Sequence, residues 1–126
     1  MAKLRVSDGA LEGIFHVGRQ PLGICFDGSN IWVANARRDT VTALQASDGA
    51  IQGIASVGDD PLDLVFDGAN IWVTNFAEDT VTKLRASDGT IRNTYTIPGE
   101  PAGIVFDGTS IWVADQLNNT VSKISQ

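Results

Sequence analysis

Basic residues are scarce in this chain: nine Lys and Arg stand against fifteen Asp and Glu among 126 residues, a formal net charge of −6. No basic stripe can neutralise a row of phosphates, so nucleic acid and anionic membrane are set aside as partners. Cysteine is nearly absent. Cys25 stands alone and cannot close an intrachain disulfide, and its neighbours Ile24 and Phe26 mark it as a packed thiol. Histidine occurs once, at His16. No run approaches the ~20 consecutive apolar residues of a membrane span. Residues 1–6 show no charged stretch leading into an apolar one, so no secretory signal is visible and the cytoplasm is the default expectation. What remains is an ordinary composition, 43% hydrophobic and 19% charged, which favours a packed domain over disorder. Thirteen glycines and four prolines are spread evenly, as turn punctuation and not as a linker.

The spacing of that punctuation is regular. A shift of 40 residues lays Ser7-Asp8-Gly9 on Ser47-Asp48-Gly49 and Ser87-Asp88-Gly89 without a gap. The same shift aligns Phe26-Asp27-Gly28 with Phe66-Asp67-Gly68 and Phe106-Asp107-Gly108, and Ile31-Trp32-Val33 with Ile71-Trp72-Val73 and Ile111-Trp112-Val113. Three units result, residues 6–45, 46–85 and 86–125. A period near 40 with two Asp-Gly turns per unit predicts four short strands per repeat, the blade of an all-β propeller. Residues 62–66, 71–75, 80–85 and 91–97 read as the inner, second, third and outer strands of one blade. Asp-Gly pairs suit tight hairpin connections, so these aspartates are read as turn formers; a calcium loop would need alternating oxygen ligands that are missing. Both faces of the inner strands are apolar, as expected of a sheet sandwiched between two others. Trp32, Trp72 and Trp112 recur at one strand position, which predicts packing between blades and not a ligand cage.

Trp72-Val73-Thr74-Asn75, with Trp32-Val33-Ala34-Asn35 and Trp112-Val113-Ala114-Asp115, resembles the motif that names the YVTN-repeat propellers. Thr80-Val81-Thr82-Lys83-Leu84 followed by Ser87-Asp88-Gly89 is similar to that group and to the NHL-repeat and virginiamycin B lyase-like propellers. The resemblance covers nearly the whole chain and implies a fold more than a function, since those relatives include enzymes, binding modules and surface-layer components. The lyases imply a histidine and acidic residues around a magnesium ion; here only His16 is available, and its place on an outer strand puts it at the rim.

Features shared by every unit are explained by the blade, so a specific site is expected where the units differ and where loops converge. Two sets of loops qualify. The first, between outer and inner strands, carries Arg19, Gln20, Asp59, Asp60 and Glu100; the second, between second and third strands, carries Arg37, Arg38, Phe76, Glu78 and Gln116. With Asp39, Asp79 and Asp115 the face holds seven carboxylates and three arginines, seven minus three being most of the net charge. Such a face could attract a small cation or a basic peptide by its potential. Asp63 also qualifies, standing in an inner strand where the other units have Gly23 and Gly103. These eleven residues are the ligand-binding candidates; no catalytic set, metal site or cofactor is assigned.

The expected function is therefore a non-catalytic scaffold that assembles with itself and presents the acidic loop face. The alternatives are a fragment or relative of a metal-assisted lyase or hydrolase, with Asp63, Glu100 and Asp115 as its only visible ligands, and an engineered or truncated segment made for assembly. Closed propellers have about four to eight blades, so three blades are expected to close as a six-bladed homodimer, with a trimer less favoured. In that ring, residues 7–18 supply the outer strand of the partner chain's last blade. Residues 1–5, which share the frame of residues 121–125, are then surplus and expected to be loosely held.

Overall fold

A computed structural model describes residues 1–125, which form thirteen strands and one 3-10 turn. A short pair, β1 (Ala2–Leu4) and β2 (Leu11–Ile14), comes first. Next is a four-stranded sheet of β3 (Pro21–Phe26), β4 (Asn30–Asn35), β5 (Thr40–Gln45) and β6 (Ile51–Ser56), with the 3-10 turn Ala36–Arg38 between β4 and β5. The second sheet repeats it as β7 (Pro61–Phe66), β8 (Asn70–Asn75), β9 (Thr80–Arg85) and β10 (Ile91–Thr96). The last has three strands, β11 (Pro101–Phe106), β12 (Ser110–Asp115) and β13 (Thr120–Ser125). Each sheet is an antiparallel meander in sequence order, and the inner strands β3, β7 and β11 lie side by side. The expected blades are thus present as sheets of four and three strands.

Each turn is built by its aspartate and its glycine in separate roles. Asp67 Oδ1 accepts the amides of Ala69 (2.9 Å) and Asn70 (2.7 Å), and Gly68 supplies the positive φ of 104°. The other oxygen, Oδ2, accepts the indole Nε1–H of Trp72 at 2.7 Å, which fixes the ring that the next blade packs on. Asp27 and Trp32, and Asp107 and Trp112, make the same bond at 2.8 Å.

Two hydrophobic clusters join the blades. The first puts Trp32, Ala34, Val41 and Ala43 of one sheet against Leu64, Ile71, Val73 and Leu84 of the next. The second puts Trp72 and Val81 against Ile111 and Val113. Tyr95 stacks on Trp72 at 5.4 Å between centroids, and Lys83 Nζ lies 5.0 Å from the same ring. Residues 1–5, expected to be surplus once a ring closes, are paired within the single chain: β1 meets β2 in the register by which β9 pairs with β10, Leu4 opposite Leu11 as Leu84 is opposite Ile91. The reason is local, since β2 has an unpaired edge that the repeat frame of β1 fits.

Candidate functional site

Backbone hydrogen bonds bring the two loop sets together at one end of every blade. Ala36 N–H donates to Gln20 O (3.1 Å) and Arg37 N–H to Arg19 O (3.3 Å). The equivalent bonds join Phe76 to Asp60 (3.0 Å) and Ala77 to Asp59 (3.3 Å), then Gln116 to Glu100 (3.1 Å) and Leu117 to Gly99 (2.9 Å). Arg19, Gln20, Arg37, Arg38, Asp59, Asp60, Phe76, Glu78, Glu100 and Gln116 therefore share one end of the sheets, grouped blade by blade. Gln20, Asp60 and Glu100 adopt left-handed φ of 53°, 58° and 59°, and Asp39 and Asp79 adopt 55° and 56°. These conformations are uncommon for residues with a Cβ and are held here from outside. Asp39 Oδ1 accepts the Asp60 amide at 3.0 Å, and Asp79 Oδ1 accepts the Glu100 amide at 3.1 Å.

That geometry refines the charge of the face. Asp39 and Asp79 are committed to loop amides, and Asp115 is buried. The remaining charges separate by blade: Arg19, Arg37 and Arg38 on the first, Asp59, Asp60 and Glu78 on the second, Glu100 on the third. Among the described residues the ion pairs are Arg5–Asp8 and Arg85–Asp88, both in turns at the opposite end of the blades. Arg37 Nε donates to Gln20 Oε1 at 3.0 Å, and Glu78 Oε2 accepts the Thr80 hydroxyl at 3.2 Å. The face is a polarised surface, with a basic sector beside an acidic one.

Asp63 does something else. It sits in a bulge where β7 shifts register against β8 between Pro61 and Leu64, and the bulge turns its side chain toward the next blade. Oδ1 accepts the Leu64 amide (2.9 Å) and Oδ2 the Ile104 amide of β11 (3.2 Å). Its carboxylate ties two inner strands together. Gly23 is required beside it, because a Cβ there would lie 2.7 Å from both Asp63 Cα and Leu62 O. Asp115 is equally occupied, with Oδ2 accepting the hydroxyls of Thr120 (3.0 Å) and Ser122 (2.6 Å) and Oδ1 buried without a partner. Asn35 and Asn75 hold the same place in their blades, each donating from Nδ2 to two threonines. Asp63, Glu100 and Asp115 form no cluster: among the described residues no three His, Cys, Asp or Glu side chains are grouped to hold a metal ion.

The titrating groups that shift are structural. Burial pushes the Cys25 thiol up to about 12, aided by the charges of Asp27 and Asp63, so the packed thiol is not a nucleophile at neutral pH. The Trp112 indole, with the Ser110 and Thr109 amides, holds Asp107 down to about 2. Burial works to raise Asp27 and Asp67, but the tryptophan and amide hydrogen bonds outweigh it and both fall below the usual carboxylate value. His16 is exposed beyond the end of β2.

No family model and no curated protein sequence matches the chain. Solved structures do. A structure titled as a functionally unknown protein from Desulfotomaculum acetoxidans superposes with a TM-score of 0.78 at 18% identity, covering 98% of this chain and 47% of that one. A streptogramin B lyase gives 0.76 at 19% identity, with 98% and 47% covered, and the hydrazine synthase of Kuenenia stuttgartiensis gives 0.66 at 23%, with 94% and 40% covered. This chain spans less than half of each. The likeness is one of fold: antiparallel four-stranded sheets arranged as in a β-propeller.

Proposed function

We propose that this chain is half of a closed six-bladed ring, two copies assembling head to tail into a non-catalytic scaffold whose loop face binds a cation or a basic peptide. The observation that carries the proposal is the pair of uncovered blade faces. Ile24 is 53% exposed where its equivalent Leu64 is 4% exposed, and Val121 is 63% exposed where Val81 is fully buried. Leu22, Phe26 and Val105 are open too. These are the same two surfaces that meet inside the chain, one on each end, so each is already shaped for the other. Coverage by a second copy removes apolar area from water at about 25 cal/mol per Å².

Local details support a second copy in particular. The Asp79 carbonyl accepts the Ile97 amide while its carboxylate accepts the Glu100 amide. Asn119, at the same place with φ 56°, can offer both acceptors to Val17 and Gln20 of a partner. Phe15 holds the repeat position of Tyr95, so a partner's Phe15 would stack on Trp112 as Tyr95 stacks on Trp72. In that ring β13 of one chain replaces β1 at the edge of the other chain's β2, so residues 7–18 become the last strand of the partner's blade. Lyase or hydrolase chemistry, which the streptogramin B lyase neighbour suggests, is less well supported, because Asp63 and Asp115 are committed to amides and hydroxyls.

The loop face is tested with a lysine-rich peptide. Wild-type protein is expected to bind it with an affinity that falls steeply with salt, and an Asp59→Asn, Asp60→Asn, Glu100→Gln variant to bind more weakly with a flatter dependence. Equal binding by the two proteins contradicts the assignment. Removing residues 1–17 is expected to abolish the ring; an unchanged oligomer after that deletion refutes strand exchange.

A further inference from the structure

The basic residues at the corner of the first blade are not required by the blade itself. At the spacing of 40, His16, Arg19 and Arg38 correspond to Ser56, Asp59 and Glu78 of the second blade and to Thr96, Gly99 and Asn118 of the third. All three are exposed, and among the described residues none of them forms an ion pair. Two guanidiniums and an imidazole thus gather without a partner carboxylate in a chain of net charge −6.

The three side chains line an open groove of about 390 Å³ together with Gly18, Thr40, Ile51 and Ile54. In the second blade the corresponding place holds one of the protein's own carboxylates. Glu78 Oε2 accepts the Thr80 hydroxyl at 3.2 Å and lies against Gly58, where it would overlap a Cβ. Gly18 and Thr40 are the equivalents of Gly58 and Thr80. In the third blade the equivalent hydroxyl, that of Thr120, also donates to a carboxylate, Asp115 Oδ2, at 3.0 Å. The first blade differs. The Thr40 oxygen accepts Asn35 Nδ2 at 3.3 Å, and among the described residues its O–H donates to no acceptor. The first blade therefore keeps the hydroxyl donor of the other two, lacks their anionic oxygen, and has Arg38 in the position of Glu78.

We propose that this groove binds an organic phosphate monoester, with its phosphate seated where Glu78 carries its carboxylate in the second blade and its apolar group on Ile51 and Ile54. Two guanidiniums, an imidazole N–H and a hydroxyl are more donors than the two oxygens of a carboxylate suit. A phosphate brings three acceptor oxygens and a charge near −2, and guanidinium binds it with paired hydrogen bonds. Ile51 and Ile54 are 55% and 64% exposed, apolar area that the rest of the ligand covers. The bare backbone at Gly18 is fixed, because a Cβ there would lie 2.6 Å from Asn35 Cγ. Ring closure leaves the groove open: Ser56, Ile91 and Thr94, which hold the positions of His16, Ile51 and Ile54 at the junction already closed within the chain, are all exposed. The site is distinct from the acidic sector of the second blade and takes ligands of the opposite charge.

The test is calorimetric titration of the full chain with phenyl phosphate at low ionic strength. Saturable binding of one molecule per chain is expected. Inorganic phosphate, which lacks the apolar group, and benzoate, which lacks the phosphate, are expected to bind at least about tenfold more weakly. An Arg19→Asp, Arg38→Glu variant carries the second blade's own residues at these positions, so it should fold, and its affinity for phenyl phosphate should drop at least about tenfold. Should it misfold, Arg38→Gln alone is expected to weaken binding in the same direction. Ile54→Thr, again the second blade's residue, should weaken phenyl phosphate and leave inorganic phosphate as it was. No saturable binding, equal binding of inorganic phosphate or benzoate, or undiminished affinity in the arginine variants overturns the proposal.

Discussion

Asp67 is a compact case of one side chain doing several jobs: two amides of a turn on one oxygen, an indole on the other. Trp72 is fully buried, so Asp67→Ala leaves its N–H without a partner and should cost about 2 to 3 kcal/mol, read by urea unfolding. Trp72→Ala should cost about 3 to 5 kcal/mol through the cavity it leaves. The depressed carboxylates also set the acid behaviour. A group whose folded pKa lies below its unfolded value stabilises the fold above the unfolded value, and that contribution is lost as the pH falls through the folded one. For Asp107 the window runs from its ordinary value of 3.8 down to about 2, and Asp27 and Asp67 act in the same direction. Urea midpoints should therefore fall between about pH 4 and pH 2, and less steeply in Asp107→Asn. Asp115→Asn should raise the melting temperature by a few degrees, because an amide can donate to Thr120 and Ser122 as Asn35 and Asn75 donate to their threonines. A lower melting temperature would show that the buried carboxylate is needed where it is.

The strands were readable from the repeat, since Asp-Gly turns and alternating apolar residues predict hairpins directly. Residues 80–85 form a strand with the expected limits, and the others shift by a residue at their ends. Asp63 was less readable. Periodicity singles it out against Gly23 and Gly103, but its bond to the Ile104 amide depends on how two inner strands approach, which no local pattern carries. The pairing of β1 within the single chain was hard to read for a related reason: its frame duplicates that of β13, and the frame alone does not say that β2 is near enough to pair with it. The acidic loops divide along the same line. Asp59, Asp60 and Glu100 use their backbones in the loops, so Asn or Gln replacements should leave the melting temperature within a few degrees. Asp79→Ala is different. It removes the acceptor of the Glu100 amide and puts alanine at a φ of 56°, and should cost about 2 kcal/mol.

Across the whole molecule the uncovered faces at the first and last sheets are the dominant feature. The repeat predicted blades, and the structure and its solved likenesses agree on sheets of propeller type. How the blades close was not readable, because a 40-residue period is the same in a ring of any size and blade number depends on small angles between sheets. Closure is decided by mass. Light scattering on the purified chain, coupled to size exclusion, should give about 27 kDa, twice the chain mass of 13.4 kDa, at all concentrations down to the micromolar range. A stable, soluble species at 13.4 kDa would contradict the two-copy ring.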